Sequence, residues 1–374
     1  MKYLKYYLST FLLLSCIYVS TLGAYGPTIF LVFFSTFIIV GDSFIGKDIL
    51  KNKYSYPFLI NLPIYINLFF LSLLVSIIVY VLGDGSSKWY AEIINSALYI
   101  DLIYLKSSIV LVDKISFIIM VSLMIGIVGT VPGHELTHRK KNKFDMFIGN
   151  WLLAFSWDCA FALEHVYGHH KNVCLPNDPA TAKRGQGLYS FIFLAIIKEQ
   201  IDAWKIEKIR LQKRHEKLLS LNNKMIVGYF RSLLLTFLAF LIGGIKSLLI
   251  FILCAIIAKC LLEVINYTEH YGLVREPNKP VEIRHSWNSN NILSSILLYN
   301  VTRHSAHHQK ANLKFWELDA YPYAPSMPYG YLSMLYIAIF LPFVYRKIMD
   351  KKLVDWDKNH ATPQERKIAM TYCN

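Results

Sequence analysis

Long apolar segments constrain the fold of this chain more than any other feature of its sequence. A bilayer core about 30 Å thick is crossed by about 20 apolar residues in a helix. Six segments reach or approach that length, at 5–24, 27–42, 57–82, 108–132, 225–243 and 246–268. Lipid-exposed backbone must satisfy its own hydrogen bonds, so these segments predict an all-α integral membrane protein with about six transmembrane helices in one domain, 1–374. Two shorter stretches, 147–163 and 331–345, are expected to pack in the cytoplasmic part or at the interface.

The charged residues are few and are spread along the chain. Only 17% of the 374 residues are charged and 55% are hydrophobic, whereas soluble domains carry nearer a quarter charged residues. The net charge of +14 does not indicate a nucleic-acid partner, because the Lys and Arg residues lie in loops between apolar segments rather than in a basic domain. The six cysteines include no C-x-x-C pair, which argues against a disulfide framework or an iron–sulfur site.

The distribution of basic residues predicts the orientation in the membrane. Membrane proteins keep Lys and Arg mainly in their cytoplasmic loops. The loops opposite the N-terminus carry only Lys88, Lys106 and Lys246, whereas the hydrophilic sections 133–224 and 269–374 hold many basic residues. We therefore expect both termini and both sections on the cytoplasmic side. The first apolar segment is expected to be an uncleaved helix, because further spans follow it at once.

Clustered histidines are the clearest sign of chemistry. Nine of the 12 histidines fall into four groups, each at or near a predicted membrane boundary on the cytoplasmic side. The groups are His134 with His138; His165 with His169 and His170; His270 alone; and His304 with His307 and His308. Imidazoles packed together without a ligand would leave donors unsatisfied or repel one another. The clusters therefore predict a metal site.

The spacing of the histidines favours two ions over one. Helical residues four apart share a face, so His134 and His138 can reach one ion, and His165 and His169 repeat that spacing. An adjacent residue is turned about 100° further round the helix, so His170 is directed toward a second, neighbouring ion. Imidazole suits iron, zinc and copper. Iron fits best, because a zinc site closes with three or four ligands and would leave half of the histidines idle.

Other interpretations remain open. His134-Glu135-x-x-His138 matches the zinc-protease pattern H-E-x-x-H, in which the glutamate is the general base, but it leaves seven clustered histidines unexplained. A metal carrier or transporter would place its ligands at mid-membrane rather than at the cytoplasmic ends. The three isolated histidines are expected to be interfacial or capping residues: His215, His285 and His360.

The histidine boxes resemble those of the membrane-bound alkane 1-monooxygenases, within the fatty-acid-desaturase-like superfamily. That superfamily carries one H-x₃₋₄-H box and two H-x₂₋₃-H-H boxes, here at 134–138, 165–170 and 304–308. The alkane hydroxylase branch adds N-Y-x-E-H-Y-G-L, present at 266–273, and the C-terminal section at 355–363 is similar to the xylene monooxygenases. The proline and Arg-x-Tyr segment usual after the last box in alkane hydroxylases is absent here.

The resemblance implies a cofactor, a reaction and a location. It implies that the nine box histidines hold two non-haem irons in a cytoplasmic helical cap of a multi-pass protein of the bacterial inner membrane. It implies hydroxylation of the terminal methyl of alkanes or alkyl groups by O₂, with electrons from a rubredoxin or ferredoxin-type donor and its NAD(P)H reductase. The alternatives are a fatty acid desaturase or acyl hydroxylase and a xylene-type alkylarene side-chain monooxygenase.

Carboxylates near the boxes are expected to orient the ligands. Metal-bound imidazoles usually donate their second N–H to a carboxylate or a carbonyl. The carboxylates expected in this role are Glu135, Glu164, Asp178, Glu263 and Glu269.

The substrate and the electrons are expected to arrive from different sides. A hydrophobic substrate would enter from the bilayer between the helices, where Phe33, Phe34 and Phe37 either limit its length or face lipid. The chain carries no dinucleotide-binding or flavin motif, so electrons must come from a partner. The basic section from Arg139 to Lys224 would attract an acidic electron carrier.

Overall fold

The computed structural model describes residues 2–84 and 87–371, so Cys373, one of the six cysteines, lies outside the described residues. Within those ranges the chain forms helices and two isolated β-bridges but no strand, as the sequence predicts. The helices are α1 (Leu4–Ser20), α2 (Gly26–Phe44), α3 (Pro57–Leu82), α4 (Lys88–Leu98), α5 (Leu102–Ser108), α6 (Leu111–Thr137), α7 (Lys143–Ala154), α8 (161–172), α9 (Leu188–Lys213), α10 (Lys224–His270), α11 (Ile292–Leu297), α12 (His304–Gln309), α13 (Tyr331–Phe340), α14 (Pro342–Asn359) and α15 (Pro363–Thr371).

Four of these helices are long and apolar enough to cross a membrane, namely α2, α3, α6 and α10. Helices α1 and α13 are apolar but shorter. The prediction of a helical membrane protein is therefore confirmed. That the chain crosses the membrane six times stays a prediction.

Helix α10 is a hairpin of two arms rather than one straight rod. Gly243 leaves the helical conformation, and Gly244 has a φ of +79°, which glycine adopts without steric cost. Met225 at the start of the first arm and Lys259 in the second arm both contact the loop at 158–159. Because positions so far apart in sequence reach the same loop, the chain reverses at the glycine pair. This reversal agrees with the division of the predicted segments at 243–246.

Polar contacts identify the two ends of the bundle. At one end Lys5 pairs with Asp48 at 2.8 Å, and Arg303 donates to the backbone oxygen of Asp48 at 2.8 Å. At the other end Asp113, in the first turn of α6, accepts the backbone N–H of Tyr25 at 2.9 Å. The Arg303 contact places the last histidine box at the same end as the N-terminus.

Helix α13 lies deeper in the bundle than the sequence suggests. The hydroxyl of Ser333 donates to the backbone oxygen of Ile39 at 2.8 Å, and that of Tyr336 donates to Ser35 at 3.0 Å. Part of the section 269–374 therefore packs along α2, a candidate span. The sequence missed this because α13 has only ten residues, too few to be recognised as membrane-buried by length.

A close contact between glycines fixes the first histidine box. Helix α7 packs on the end of α6, and a Cβ added at Gly133 would lie 2.9 Å from Leu153 Cγ. A Cβ added at Gly149 would likewise lie 2.9 Å from Leu136 Cβ. The two glycines thus let the helices approach closely enough to hold the turn that carries His134 against α7.

Candidate metal centre

The nine clustered histidines come together as two adjacent groups at one end of the bundle. Within each group, one ring nitrogen of every member lies within 4.8 Å of those of all the others. The five-histidine group is His134, His138, His165, His170 and His307, and the four-histidine group is His169, His270, His304 and His308. The ring centroids of His170 and His308 are 4.5 Å apart, so the groups touch.

Adjacent histidines divide between the groups. His170 belongs to the five-histidine group and His169 to the other, and His307 and His308 are divided in the same way. Neighbouring residues on a helix are directed about 100° apart, so one short helix can supply both groups. The placement agrees with the expectation that consecutive histidines serve neighbouring sites.

The winding of α8 decides which histidine joins which group. Residues His165–His169 are π-helical, so residues five apart come onto one face. The Nε2 atoms of His165 and His170 consequently lie 3.1 Å apart. The expectation that His165 and His169 reach the same ion is wrong, because the wider turn carries His169 into the other group.

Two imidazoles of the four-histidine group have their proton fixed on Nδ1. His169 Nδ1 donates to both oxygens of Asp178, at 3.0 and 3.1 Å. His270 Nδ1 donates to the backbone oxygen of His285 at 3.2 Å. A carboxylate and a carbonyl can only accept, so the Nε2 atoms of His169 and His270 bear lone pairs directed into the group.

No distribution of protons satisfies the four-histidine group by itself. His304 Nε2 lies 3.0 Å from the bare Nε2 of His270, and His308 Nε2 lies 3.2 Å from that of His169. If His304 and His308 both donated from Nε2, these two N–H groups would also point at each other across 2.9 Å. Two ligand nitrogens about 2.1 Å from one ion are about 3.0 Å apart at a right angle and about 3.4 Å apart at the tetrahedral angle. The donor set therefore fits a metal cation that accepts all four lone pairs.

The five-histidine group has the same spacing and lies nearer to solvent. His134 Nε2 lies 2.9 Å from His307 Nε2 and 3.2 Å from His138 Nε2, and His170 Nε2 lies 3.0 Å from His307 Nε2. The rings of His138 and His170 are half-buried, whereas all four rings of the other group are buried. Burial lowers the pKa values of His138 and His307 well below the ordinary value for histidine. The two rings therefore stay neutral and able to bind metal.

Two of the expected carboxylates contact the histidines. Asp178 holds His169, as described above, and also accepts the hydroxyl of Thr181 at 2.5 Å. Glu269 Oε1 lies 3.1 Å from His304 Nδ1 and accepts the hydroxyl of Tyr331 at 2.7 Å. Both carboxylates are fixed by a hydroxyl, which limits the motion of the imidazole beside them.

The other three expected carboxylates, Glu135, Glu164 and Glu263, form no hydrogen bond to a histidine in the described structure. Glu135 accepts from Arg139 at 2.7 Å, and Glu263 pairs with Lys259 at 2.7 Å. In the described part of the chain, no hydrogen bond joins Glu164 to a histidine, and burial raises the pKa of its carboxyl well above the usual range. The expectation of a ligand-orienting role is therefore wrong for Glu135 and Glu263, whose partners are basic side chains, and for Glu164 it stays a prediction. The partner of Glu135 also weighs against the protease interpretation, which needs that carboxylate as a free base.

Sequence reasoning missed two residues beside the ligands. His285, expected to be an ordinary capping residue, is buried and offers its carbonyl to His270. Tyr331 supports Glu269 from the start of α13. The roles of His285 and Tyr331 depend on partners 15 and 62 residues away in the chain, so the sequence gives no local signal for either residue.

An apolar cavity of about 580 Å³ leads away from the histidines between α2, α6, the second arm of α10 and α13. Its inner end includes Val131, one helical turn before His134, and Leu332, next to Tyr331. Its outer end includes Phe340, which is 70% exposed. Leu332 and Phe340 are eight residues apart on α13, which is about 12 Å at 1.5 Å of rise per residue.

The three phenylalanines of α2 do not form this cavity. In the described structure, none of Phe33, Phe34 and Phe37 belongs to the cavity lining. Phe33 and Phe37 are 69% and 45% exposed, and their rings stack at 6.4 Å on the outside of the helix. For Phe33 and Phe37 the lipid-facing interpretation therefore fits the structure better than a role in limiting chain length, whereas Phe34 is buried in the core.

Helices that carry converging histidine boxes at the end of an apolar bundle define a class of membrane metalloprotein. The fatty acid desaturase family model matches residues 114–338, the part of the chain that supplies all nine histidines. Alkane 1-monooxygenase 2 of Alcanivorax borkumensis is 34% identical over 256 residues, which cover 67% of this chain and 66% of the relative. The alkane 1-monooxygenase of Acinetobacter baylyi is 31% identical over 289 residues, covering 74% and 70%.

A third relative is named for aromatic substrates rather than for alkanes. The xylene/toluene monooxygenase hydroxylase component XylM of Pseudomonas putida is 35% identical over 244 residues, covering 65% of this chain and 66% of the relative. The chain thus spans somewhat under two thirds of the length of the Alcanivorax relative and of XylM. The chain belongs to the fatty acid desaturase family, in the group that includes the alkane 1-monooxygenases.

Proposed function

We propose that this protein is a non-haem di-iron monooxygenase of the membrane that hydroxylates the terminal methyl of alkanes or alkyl groups. The observation that carries the proposal is the convergence of five and four imidazoles at one end of an apolar cavity. The names of the Alcanivorax and Acinetobacter relatives support an alkane substrate, and that of XylM supports an alkylarene. We place the site on the cytoplasmic side of the bacterial inner membrane.

The chemistry requires an oxidising centre in a dry site. A terminal C–H bond is too inert for acid–base catalysis by side chains, and a bound pair of irons would supply the power to activate O₂. The balanced reaction takes O₂, two electrons, two protons and one C–H bond to one alcohol and one water. The chain's own contribution is to orient an alkyl chain through the cavity, with its methyl near Val131 and Leu332, and to exclude water there.

Electrons are supplied by a separate rubredoxin or ferredoxin-type protein in this proposal. Tyr167 on α8 is 44% exposed, and Lys140 Nζ lies 3.9 Å from its ring centroid. The half-buried His138 and His170 lie in the same part of the structure. An acidic carrier would dock over this basic, aromatic surface beside the five-histidine group. High salt should therefore slow turnover without weakening substrate binding, and complete insensitivity to salt would count against this docking.

Product analysis tests the proposed reaction. Cells that express the protein together with a donor and reductase are fed octane, hexadecane, xylene and a fatty acid, and their products are identified by mass spectrometry. We expect a terminal alcohol from at least one alkane or alkylarene, its loss in His304→Ala, and its retention in His215→Ala, whose side chain lies outside both groups. A new double bond in the fatty acid, with no alcohol from any hydrocarbon, would contradict the proposal.

A further inference from the structure

The ring of His285 is fixed at both of its nitrogens. The backbone N–H of Glu282 donates to His285 Nδ1 at 2.9 Å, so Nδ1 bears the lone pair and Nε2 carries the proton. That Nε2–H donates to Glu365 Oε1 at 2.8 Å. The side chain is completely buried. His285 therefore has one tautomer and one orientation.

The carbonyl of the same residue fixes a histidine of the four-histidine group. The backbone oxygen of His285 accepts His270 Nδ1–H at 3.2 Å and the thiol of Cys174 at 3.1 Å. The first bond directs the lone pair of His270 Nε2 toward His304, 3.0 Å away. His270 is the one member of the two groups that lies outside the three boxes, and its orientation depends on the peptide of His285.

The two oxygens of Glu365 share Arg284, whose Nε–H donates to Oε2 at 2.9 Å, and differ in their other partners. Oε2 accepts the backbone N–H of Thr362 at 2.8 Å, and the hydroxyl of Thr362 accepts the backbone N–H of Glu365 at 3.1 Å. This is the capping box of a helix start, which explains Oε2. It does not explain Oε1, which is directed at His285 and lies 3.3 Å from Arg284. The carboxylate of Glu365 therefore joins α15 to the segment that contains His285, 80 residues earlier in the chain.

We infer that Glu365 is a positioning residue for the four-histidine group, acting through His285 on His270. The inference rests on the proposed metal centre and adds the C-terminal helix α15 to it. Neither Glu365 nor His285 would touch the metal. Their role is to hold the acceptor that keeps the proton of His270 on Nδ1 and leaves its Nε2 free as a ligand.

Metal titration of Glu365→Ala tests the inference without relying on activity. Metal-free protein in detergent is titrated anaerobically with Fe²⁺, or with Co²⁺ followed by visible absorption. The wild type should bind two equivalents. In Glu365→Ala one equivalent should bind more weakly, by at most the roughly ten- to hundred-fold that follows the loss of a direct partner of a ligand, while the other is unchanged. Glu365→Gln should be intermediate, because its single carbonyl oxygen cannot serve both Thr362 and His285.

Thr362→Ala is the matched control. It removes the hydroxyl half of the capping box and leaves the contact between Glu365 and His285, so both equivalents should bind as in the wild type. Equal weakening in Thr362→Ala and Glu365→Ala would overturn the inference, since Glu365 would then act only as a helix cap. Two unchanged equivalents in Glu365→Ala would also overturn it and leave the metal centre standing. A wild type that binds at most one equivalent would overturn both proposals.

Discussion

At the scale of single residues, the position of each imidazole proton decides what the histidines can do. Asp178 and the carbonyl of His285 hold protons on Nδ1 of His169 and His270, so the opposite nitrogens are lone-pair donors before any metal arrives. The resulting conflict among Nε2 atoms 2.9–3.2 Å apart would be relieved by a bound cation. The four-histidine group thus has the properties of a preorganised ligand set.

Replacing Asp178 should weaken metal binding at the four-histidine group alone. Asp178→Ala removes the acceptor of His169 Nδ1–H and frees that ring to turn. We expect about ten- to hundred-fold weaker binding of one metal equivalent, measured by the same titration. Glu135→Gln is the comparison, because Glu135 contacts Arg139 rather than a histidine. Equal losses in both variants would contradict the assignment of Asp178.

Glu365 should make folding stability depend on acid pH. Burial alone would raise the pKa of Glu365, but hydrogen bonds from His285 and Arg284 lower it to about 2, against about 4.3 when unfolded. A carboxylate with a lowered pKa stabilises the fold above its unfolded pKa, and this stabilisation is lost as the pH falls toward 2. The stability advantage of metal-free wild type over Glu365→Gln should shrink by about 2–3 kcal/mol between pH 6 and 2.

Unfolding of the two metal-free proteins in detergent, followed by denaturant titration at several pH values, measures this difference. A constant difference across the range would show that Glu365 is not held ionised by its partners. Thr362→Ala serves as the control, since its effect on helix capping carries no titratable group.

At the scale of elements, local winding determines the site as much as residue choice does. The π-helical turn at His165–His169 brings His165 beside His170, and a second π-helical stretch, Ile125–Thr130, lies in α6 just before the first box. Such stretches are often found at functional sites. In α6 the stretch carries Gly126 into the cavity wall.

Side chains added at Gly126 should shorten the substrates that are accepted. A Cβ at this position would meet no atom within 4 Å, so larger residues can enter the cavity without disturbing the helices. Across Gly126→Ala, Val and Leu we expect the preferred alkane to become progressively shorter, with unchanged metal content. Competition among alkanes of different length, with products identified by mass spectrometry, measures the preference. Phe33→Ala, on the lipid face, should leave the preferred alkane length unchanged. A changed preference in Phe33→Ala with none in the Gly126 variants would exclude this cavity as the substrate site.

The glycine pair of α10 should be sensitive to substitution. Gly244 has a φ of +79°, where an added Cβ is strained, and a Cβ there would also lie 3.0 Å from Asp84 Oδ2. We expect Gly244→Ala to lower stability by about 1–2 kcal/mol, measured by thermal unfolding in detergent. Gly185→Ala provides the comparison. It has a similar φ of +74° but meets no atom within 4 Å, so a larger loss at Gly244 reports the close contact of the added Cβ with Asp84.

The sequence predicts features that depend on composition and on regular spacing. The third span, 57–82, coincides with Pro57–Leu82, and the break between the fifth and sixth spans falls at the glycines of the hairpin. The division of consecutive histidines between neighbouring sites also follows from helical geometry. The pairing of His165 with His170 did not follow from it, because no residue pattern in α8 predicts a π-helical turn. The role of Glu365 could not be predicted either, since it depends on contacts across 80 residues.

At the scale of the whole molecule, the charge distribution and the positions of the histidines agree. The loops poor in Lys and Arg lie at the end where Asp113 meets Tyr25 and where α10 reverses. The histidine groups lie at the opposite end, beside the N-terminal contact between Lys5 and Asp48. A cytoplasmic site is thus consistent with a bundle that has one basic end.

Cysteine labelling tests this orientation. Lys88 and Lys217 are exposed at opposite ends of the bundle, and the cysteines of the described chain are buried or half-buried. In intact cells whose outer membrane is permeable to the reagent, a membrane-impermeant maleimide should label Lys88→Cys but not Lys217→Cys. Permeabilising the inner membrane should expose the second. The opposite pattern would place the histidine groups outside the cytoplasm.

The iron content of the purified protein tests the central claim most directly. Elemental analysis of protein loaded anaerobically with Fe²⁺ and freed of excess metal should give two irons per chain. His304→Ala and His138→Ala, each altering a different group, should each retain about one. No more than one transition-metal ion per wild-type chain, or the same metal content in both variants as in the wild type, would contradict a pair of ions held by the five- and four-histidine groups.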